Sequence, residues 1–175
     1  YNDPAAREAF RQRIEERLRS IPAVASAGSI DYLPLGGASS GTPFTIEGRE
    51  RLTTTEVVNT RVVSPAYFEV MGIPVLQGRP LHADDRGFDG VPALVVNETF
   101  AKTYFGGQNP VGKSFYRGTT ERHMIVGLVR DSRYRNMRDP IYPGAFFPFA
   151  ATNARGLPEP RSEASLIVRT LGQNP

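Results

Sequence analysis

Residues 91–114 read VPALVVNETFAKTYFGGQNPVGKS, and the class of fold follows from how these letters are ordered. Val91 to Val96 is an almost unbroken apolar run rich in β-branched residues, which predicts a strand buried on both faces. Asn97 can cap a helix from Glu98 to Phe105, where Phe100 and Tyr104 stand one turn apart, and Gly106-Gly107 can end it. The next eight letters, Gly107 to Ser114, match the phosphate-loop pattern G-x-x-x-x-G-K-[ST]. That pattern works only between a strand and a helix, where backbone N–H groups and the helix N-terminus converge on phosphate. Here the helix comes first, and Phe115-Tyr116-Arg117-Gly118-Thr119-Thr120 reads as a strand. Lys113 is therefore expected in a loop between helix and strand, and titration with ATP and magnesium is expected to show no binding.

On the N-terminal side, Asp3 and Pro4 suit a helix start. Phe10, Ile14, Leu18 and Ile21 then form one apolar stripe over a helix of roughly 16 residues, which Pro22 stops. A strand is expected within 23–35, followed by the small-residue loop Gly36 to Gly41, read as mobile or as a place of close approach. Strands at 44–46 and 54–63 precede a short helix, for which Ser64 reads as the cap, Tyr67, Phe68 and Met71 as the buried side, and Gly72 as the end. A short strand follows at 73–76. On the C-terminal side, strands are expected at 114–116, 123–129, 145–149 and 165–168. Helix, strands, helix, strand, helix, strands is an α+β order and not a regular doubly wound sheet.

Composition narrows the function classes. At 175 residues the chain is one domain, or one domain with an inserted lobe. Apolar residues are 39% and charged residues 22%, a globular balance, and 17 Gly with 15 Pro favour short elements. The net charge of +3 is spread among neighbouring acids and bases, so nucleic acid is not an expected partner. With no cysteine there is no disulfide, thiolate metal site or cysteine nucleophile. No run is long and apolar enough to span a bilayer, and no signal peptide is read at Tyr1, which suits a cytoplasmic chain or a piece of a larger one.

Candidate chemistry is thin. His82 with Asp84, Asp85 and Asp89 could suggest a divalent-metal site, but the acids lack calcium-loop spacing and Arg86 sits among them. His123 reads as an edge residue opening a strand. Asn97-Glu98-Thr99 spells a glycosylation sequon that a helix cap explains better, and Phe146-Phe147-Pro148-Phe149 reads as a buried strand before it reads as a partner surface. No residue is assigned as catalytic, cofactor-binding or metal-ligating, and the chain is not expected to be an enzyme.

Three blocks taken together carry a resemblance. They are Val63-Ser64-Pro65-Ala66-Tyr67-Phe68-Glu69-Val70-Met71-Gly72-Ile73-Pro74-Val75-Leu76-Gln77-Gly78-Arg79; Val95 to Phe105 continuing to Asn109-Pro110-Val111-Gly112-Lys113; and Ile125 to Ser132 followed by Phe147-Pro148 and Leu166 to Thr170. In order and spacing they resemble the periplasmic core domain of MacB/FtsX-type ABC transporter permeases, the duplicated-permease variety above all. The resemblance implies a periplasmic, extracytoplasmic domain without catalytic residues or cofactors, which relays ATP-driven movement (mechanotransmission) to export or extract a substrate. Its implied partners are the protein's own transmembrane helices, a cytoplasmic ABC ATPase, a second permease copy or half, and a periplasmic adaptor. It also implies two lobes: a porter-like lobe from residues 1–52 and 122–175, and a smaller inserted lobe at 53–121. A free-standing small-ligand or lipid-binding domain is the alternative, for which a deep apolar pocket would speak.

Overall fold

The computed structural model describes residues 3–36, 40–48, 57–83, 85, 91–117, 121–149 and 164–172. Three helices and nine strands follow one another as α1 (Pro4–Arg19), β1 (Val24–Ile30), β2 (Ser40–Ile46), β3 (Val57–Val63), α2 (Tyr67–Met71), β4 (Val75–Gly78), β5 (Ala93–Asn97), α3 (Glu98–Phe105), β6 (Ser114–Arg117), β7 (Glu121–Val129), β8 (Gly144–Pro148) and β9 (Ser165–Thr170). The α+β expectation holds.

All nine strands belong to one sheet, in the order β2-β6-β7-β5-β8-β3-β1-β9, with β4 beside β7. Most pairs are antiparallel; β3 with β8 and β5 with β7 are parallel. The pairing closes on itself, because β2 is bonded both to β6, through Phe44 to Ile46, and to β3, through Ser40 to Pro43. Six strands therefore form a ring. Each contributes to one buried cluster: Phe44 and Ile46 from β2, Val58 and Val62 from β3, Leu94 and Val96 from β5, Phe115 from β6, Ile125 and Leu128 from β7, Ala145 and Phe147 from β8. Phe100, Ala101 and Tyr104 of α3 join the same cluster. Phe44 stacks on Phe115 at 5.2 Å between ring centroids and meets Tyr104 edge-on at 5.0 Å, contacts that add to the benefit of burial.

The other face carries a second cluster: Val63 of β3, Ala93 and Val95 of β5, Phe146 of β8, and Tyr67 and Phe68 of α2. Alternate residues of β5 enter the two clusters, which is the physical reason its sequence shows no polar alternation.

The terminal elements attach to this ring through one strand. β1 pairs with β9 along its length but meets β3 at a single register pair, Ile30 with Val63. Two flanking hydrogen bonds, Asp31 N–H to the Val62 carbonyl and Ser64 N–H to the Ser29 carbonyl, both 2.9 Å, complete that seam. The chain ranges expected for two lobes contribute interleaved strands: β2, β7 and β8, grouped with the chain ends in that expectation, all lie in the ring.

Several local readings change. The buried residues of α1 are Arg11 and Glu15, whereas Phe10 and Ile21 are nearly half exposed; a polar anchor on β1 has rotated the helix away from its apolar stripe. Ser64 does not cap α2, whose first turn has no side-chain cap; its hydroxyl instead accepts the Ser29 N–H at 2.9 Å across the seam. Met71 is exposed and not part of the buried side. His123 lies on a strand with neighbours on both sides and is 2% exposed. By contrast, Asn97 caps α3, and Gly72 and Gly106 end their helices in left-handed conformations, as read from the sequence. Of the Gly36 to Gly41 loop, residues 37–39 lie outside the described residues, as do 54–56 of the expected third strand. At Gly41 the close approach is real: a Cβ there would lie 2.3 Å from Val57 Cγ1.

Candidate functional site

The phosphate-loop letters occupy the turn between α3 and β6. Five of their N–H groups already have partners within the protein: Gly107 donates to Ala101, Gln108 to Phe105, Val111 to the Asn109 side chain, Gly112 to Ile125 and Lys113 to Pro110, at 2.8–3.1 Å. Ser114, which would bind magnesium in a phosphate loop, is buried and its Oγ accepts from Arg122 Nε. The donors that a phosphate would need point into the fold.

At the other histidine, Asp85 takes both forks of Arg79, at 2.7 and 2.8 Å, and accepts the His82 N–H at 2.7 Å. Burial would raise this carboxyl, but the Arg79 hydrogen bonds and the His82 N–H outweigh it and hold it below the usual carboxylate range. Asp84 and Asp89 lie outside the described residues, among which no cluster of metal-ligating side chains occurs. A depressed carboxyl stabilises the fold above its unfolded-state pKa, and that contribution disappears as pH falls through the folded value. Unfolding midpoints measured from neutral pH downward should therefore show an acid-side decline below about pH 4 that Asp85→Asn flattens. An unchanged slope in the variant would assign the decline to other carboxylates.

Asn97 is buried, so its sequon is closed to glycosylation. Its Oδ1 accepts from Phe100 N–H at 3.0 Å and Gly144 N–H at 2.8 Å, and its Nδ2 donates to the Tyr142 carbonyl at 3.0 Å. Thr99 is tied in turn to Asp131, through its N–H at 2.9 Å and its hydroxyl at 2.7 Å. The start of α3 and the loop before β8 are thus one hydrogen-bonded unit.

The most densely organised polar cluster sits under α1. Arg11 is buried against β1, where Nη1 donates to Ser29 Oγ at 2.9 Å and to Glu15, while Nε and Nη2 grip Glu8 at 2.9 and 2.5 Å. Ser29 Oγ returns a hydrogen bond to Glu15 at 2.6 Å, and the guanidinium lies 4.6 Å from the Phe149 ring centroid. Such a network contributes little net stability but penalises any displacement that breaks one partner. It fixes the helix in one register on β1. Nothing in the cluster pairs a nucleophile with a base, so it is suited to positioning and not to bond making.

The sequence profile of the MacB-like periplasmic core domain matches residues 2–172. The chain belongs to that family. Among curated proteins no sequence matches it. Solved structures share the fold at low identity. The periplasmic region of MacB from Actinobacillus actinomycetemcomitans has 19% identity and a TM-score of 0.59 over 91% of this chain and 64% of that one. A permease domain from Porphyromonas gingivalis gives 17% and 0.59 over 93% and 69%. The extracellular domain of the ABC-type transporter YknZ from Gram-positive bacteria gives 16% and 0.50 over 80% and 63%. The chain thus spans about two-thirds of the length of each. As a MacB-like periplasmic core domain it lies outside the cytoplasm, on the periplasmic side of a transporter permease. Among the described residues no helix is long and apolar enough to cross a membrane. The family was legible from the three blocks quoted above; the α1 anchor was not, because Ser29, which completes it, carries no signal in its own stretch of sequence.

Proposed function

We propose that this domain is a non-catalytic relay, carrying ATP-driven movement of an ABC permease to its periplasmic side so that a substrate is exported or extracted. The match to the periplasmic core domain over residues 2–172 carries this reading, and the architecture supports it. The first and last described elements are neighbours: β1 and β9 pair along their length, and Leu171 N–H donates to the Ala23 carbonyl at 2.9 Å. α2 packs on them as well, with Arg169 Nε donating to the Val70 carbonyl at 2.9 Å. In this reading α1, β1, α2 and β9 form one mechanical unit and the ring with α3 the other, joined at the Ile30–Val63 seam. Displacement of α1 moves the unit as a body because the Arg11–Glu15–Ser29 network resists sliding. The partners are the permease's own transmembrane helices and a cytoplasmic ABC ATPase, with a second permease copy or half and a periplasmic adaptor as further members.

The test uses the whole permease with its ATPase. Removing one member of a buried charged network weakens docking by about 3 kcal/mol, so Glu15→Ala combined with Ser29→Ala should leave ATP hydrolysis running and lower the substrate moved per ATP several-fold. Unchanged coupling, with α1 shown by hydrogen exchange to be loosened, would defeat the relay reading. A free-standing lipid-binding role gains little from the larger cavity. That groove, about 410 Å³ between α1 and α2, is bordered by Glu8, Arg11, Glu15, Glu16, Arg19 and Glu69, a wall unsuited to an acyl chain.

A further inference from the structure

Arg61 lies on β3, outside the ring, and is 2% exposed. Its Nη1 donates to the Thr60 carbonyl at 2.7 Å, and its guanidinium sits 5.3 Å from the centroid of the Tyr134 ring. Nε and Nη2 are buried and have no hydrogen-bond partner among the described residues. Those two N–H groups form one straight edge of the guanidinium, the edge whose parallel donors match the two oxygens of a carboxylate. Asp31, at the end of β1, favours the charged form against the effect of burial, but it does not hydrogen-bond to either free nitrogen. A buried cation with two idle donors is a costly arrangement unless something else meets them.

Arg61 lines a cavity between β3, β8 and the 132–142 segment, together with Asn59, Ser132 and Tyr134, and exposed Arg133 and Asn136 flank its mouth. The Ser132 hydroxyl, also buried, lacks a well-formed hydrogen bond there. The space for atom centres is about 30 Å³. Since one water needs about 10–15 Å³ on this measure, the cavity accepts two or so oxygen-sized atoms. That suits a carboxylate and excludes a nucleotide or a sugar.

We propose that the cavity over Arg61 is a receptor for one carboxylate group, gripped side-on by Nε and Nη2. The source is a free small carboxylate or the C-terminus of a peptide, which present the same chemistry. The inference stands apart from the relay reading, because it rests on Arg61 and its cavity and not on how the domain moves.

The experiment is an NMR titration of the wild-type chain, following the Arg61 Nε–H resonance at constant ionic strength. Acetate should shift it saturably while acetamide and chloride do not, and acetate should raise the thermal midpoint. Arg61→Lys keeps the charge but loses the fork, and should weaken acetate at least about tenfold. In a second arm, trialanine with a free C-terminus is compared with its amide. Tighter binding than acetate that amidation abolishes identifies a peptide end as the source; binding no tighter than acetate identifies a small free carboxylate. A resonance that acetate leaves unmoved, or that acetamide moves equally, overturns the proposal and leaves the cavity to water. The wild-type titration decides the matter even if the variant fails to fold.

Discussion

Alanine in place of Gly127 is expected to lower stability by about 3 kcal/mol, read as a fall in urea midpoint at unchanged slope. A Cβ at this position would stand 2.1 Å from the Arg79 carbonyl oxygen and 3.2 Å from its carbon. These are backbone atoms, so no side-chain rotation relieves the clash. β4 must instead part from β7, breaking the Arg79 N–H bond to the Val126 carbonyl at 3.0 Å. Gly78 is the register partner of Gly127, and its own Cβ would lie 2.2 Å from the Val126 oxygen, at φ +71°. Gly78→Ala should therefore cost at least as much, and the double variant less than the sum, since both separate the same two strands. Gly106→Ala is the control: φ is +60° but nothing lies within 4 Å, so only the left-handed penalty of about 1 kcal/mol applies. A Gly127→Ala loss no larger than that of Gly106→Ala would show that the strands yield easily.

A loss of similar size, about 3–4 kcal/mol, is expected for Asn97→Ala. The cap contributes about 1 kcal/mol. The remainder comes from the Gly144 N–H and the Tyr142 carbonyl, which lose their partner at a buried site at about 1–3 kcal/mol each. Asn97→Ser separates these terms, because serine can cap α3 but is too short to hold the loop before β8. Its loss should fall clearly below that of alanine, and hydrogen exchange should show faster opening at Gly144 in both variants. Equal losses for serine and alanine would mean that the cap contributes nothing here.

Asn97 was legible because everything it needs to be recognised lies beside it: an apolar run before, a helix-forming run after, and a cap letter between. Gly72 and Gly106 were legible for the same reason. The closed ring was not, because pairing of β2 with β3 at one end and β6 at the other leaves no mark on any short window. His123 was read as an edge residue since the neighbours of β7 come from distant segments. The docked face of α1 was misread because apolar periodicity outvoted Arg11 and Glu15, whose partner Ser29 is remote. Arg61 gave no sign at all, being one cation in a β-branched strand whose burial depends on the segment around Tyr134. The decoy at Gly107 to Ser114 could be set aside from order alone, since what precedes and follows it is local.

The pairing of β1 with β9 has a consequence for how the domain comes into being. These strands come from opposite ends of the chain, so the first strand made waits, unpaired, until nearly the last residues arrive. The ring imposes a shorter delay, since β2 cannot meet β6 until α3 and its turn have been formed. Such contacts are slow to form because a long loop must close first. During synthesis and export, β1 is therefore an exposed apolar edge, the kind of surface that misassembles before it folds.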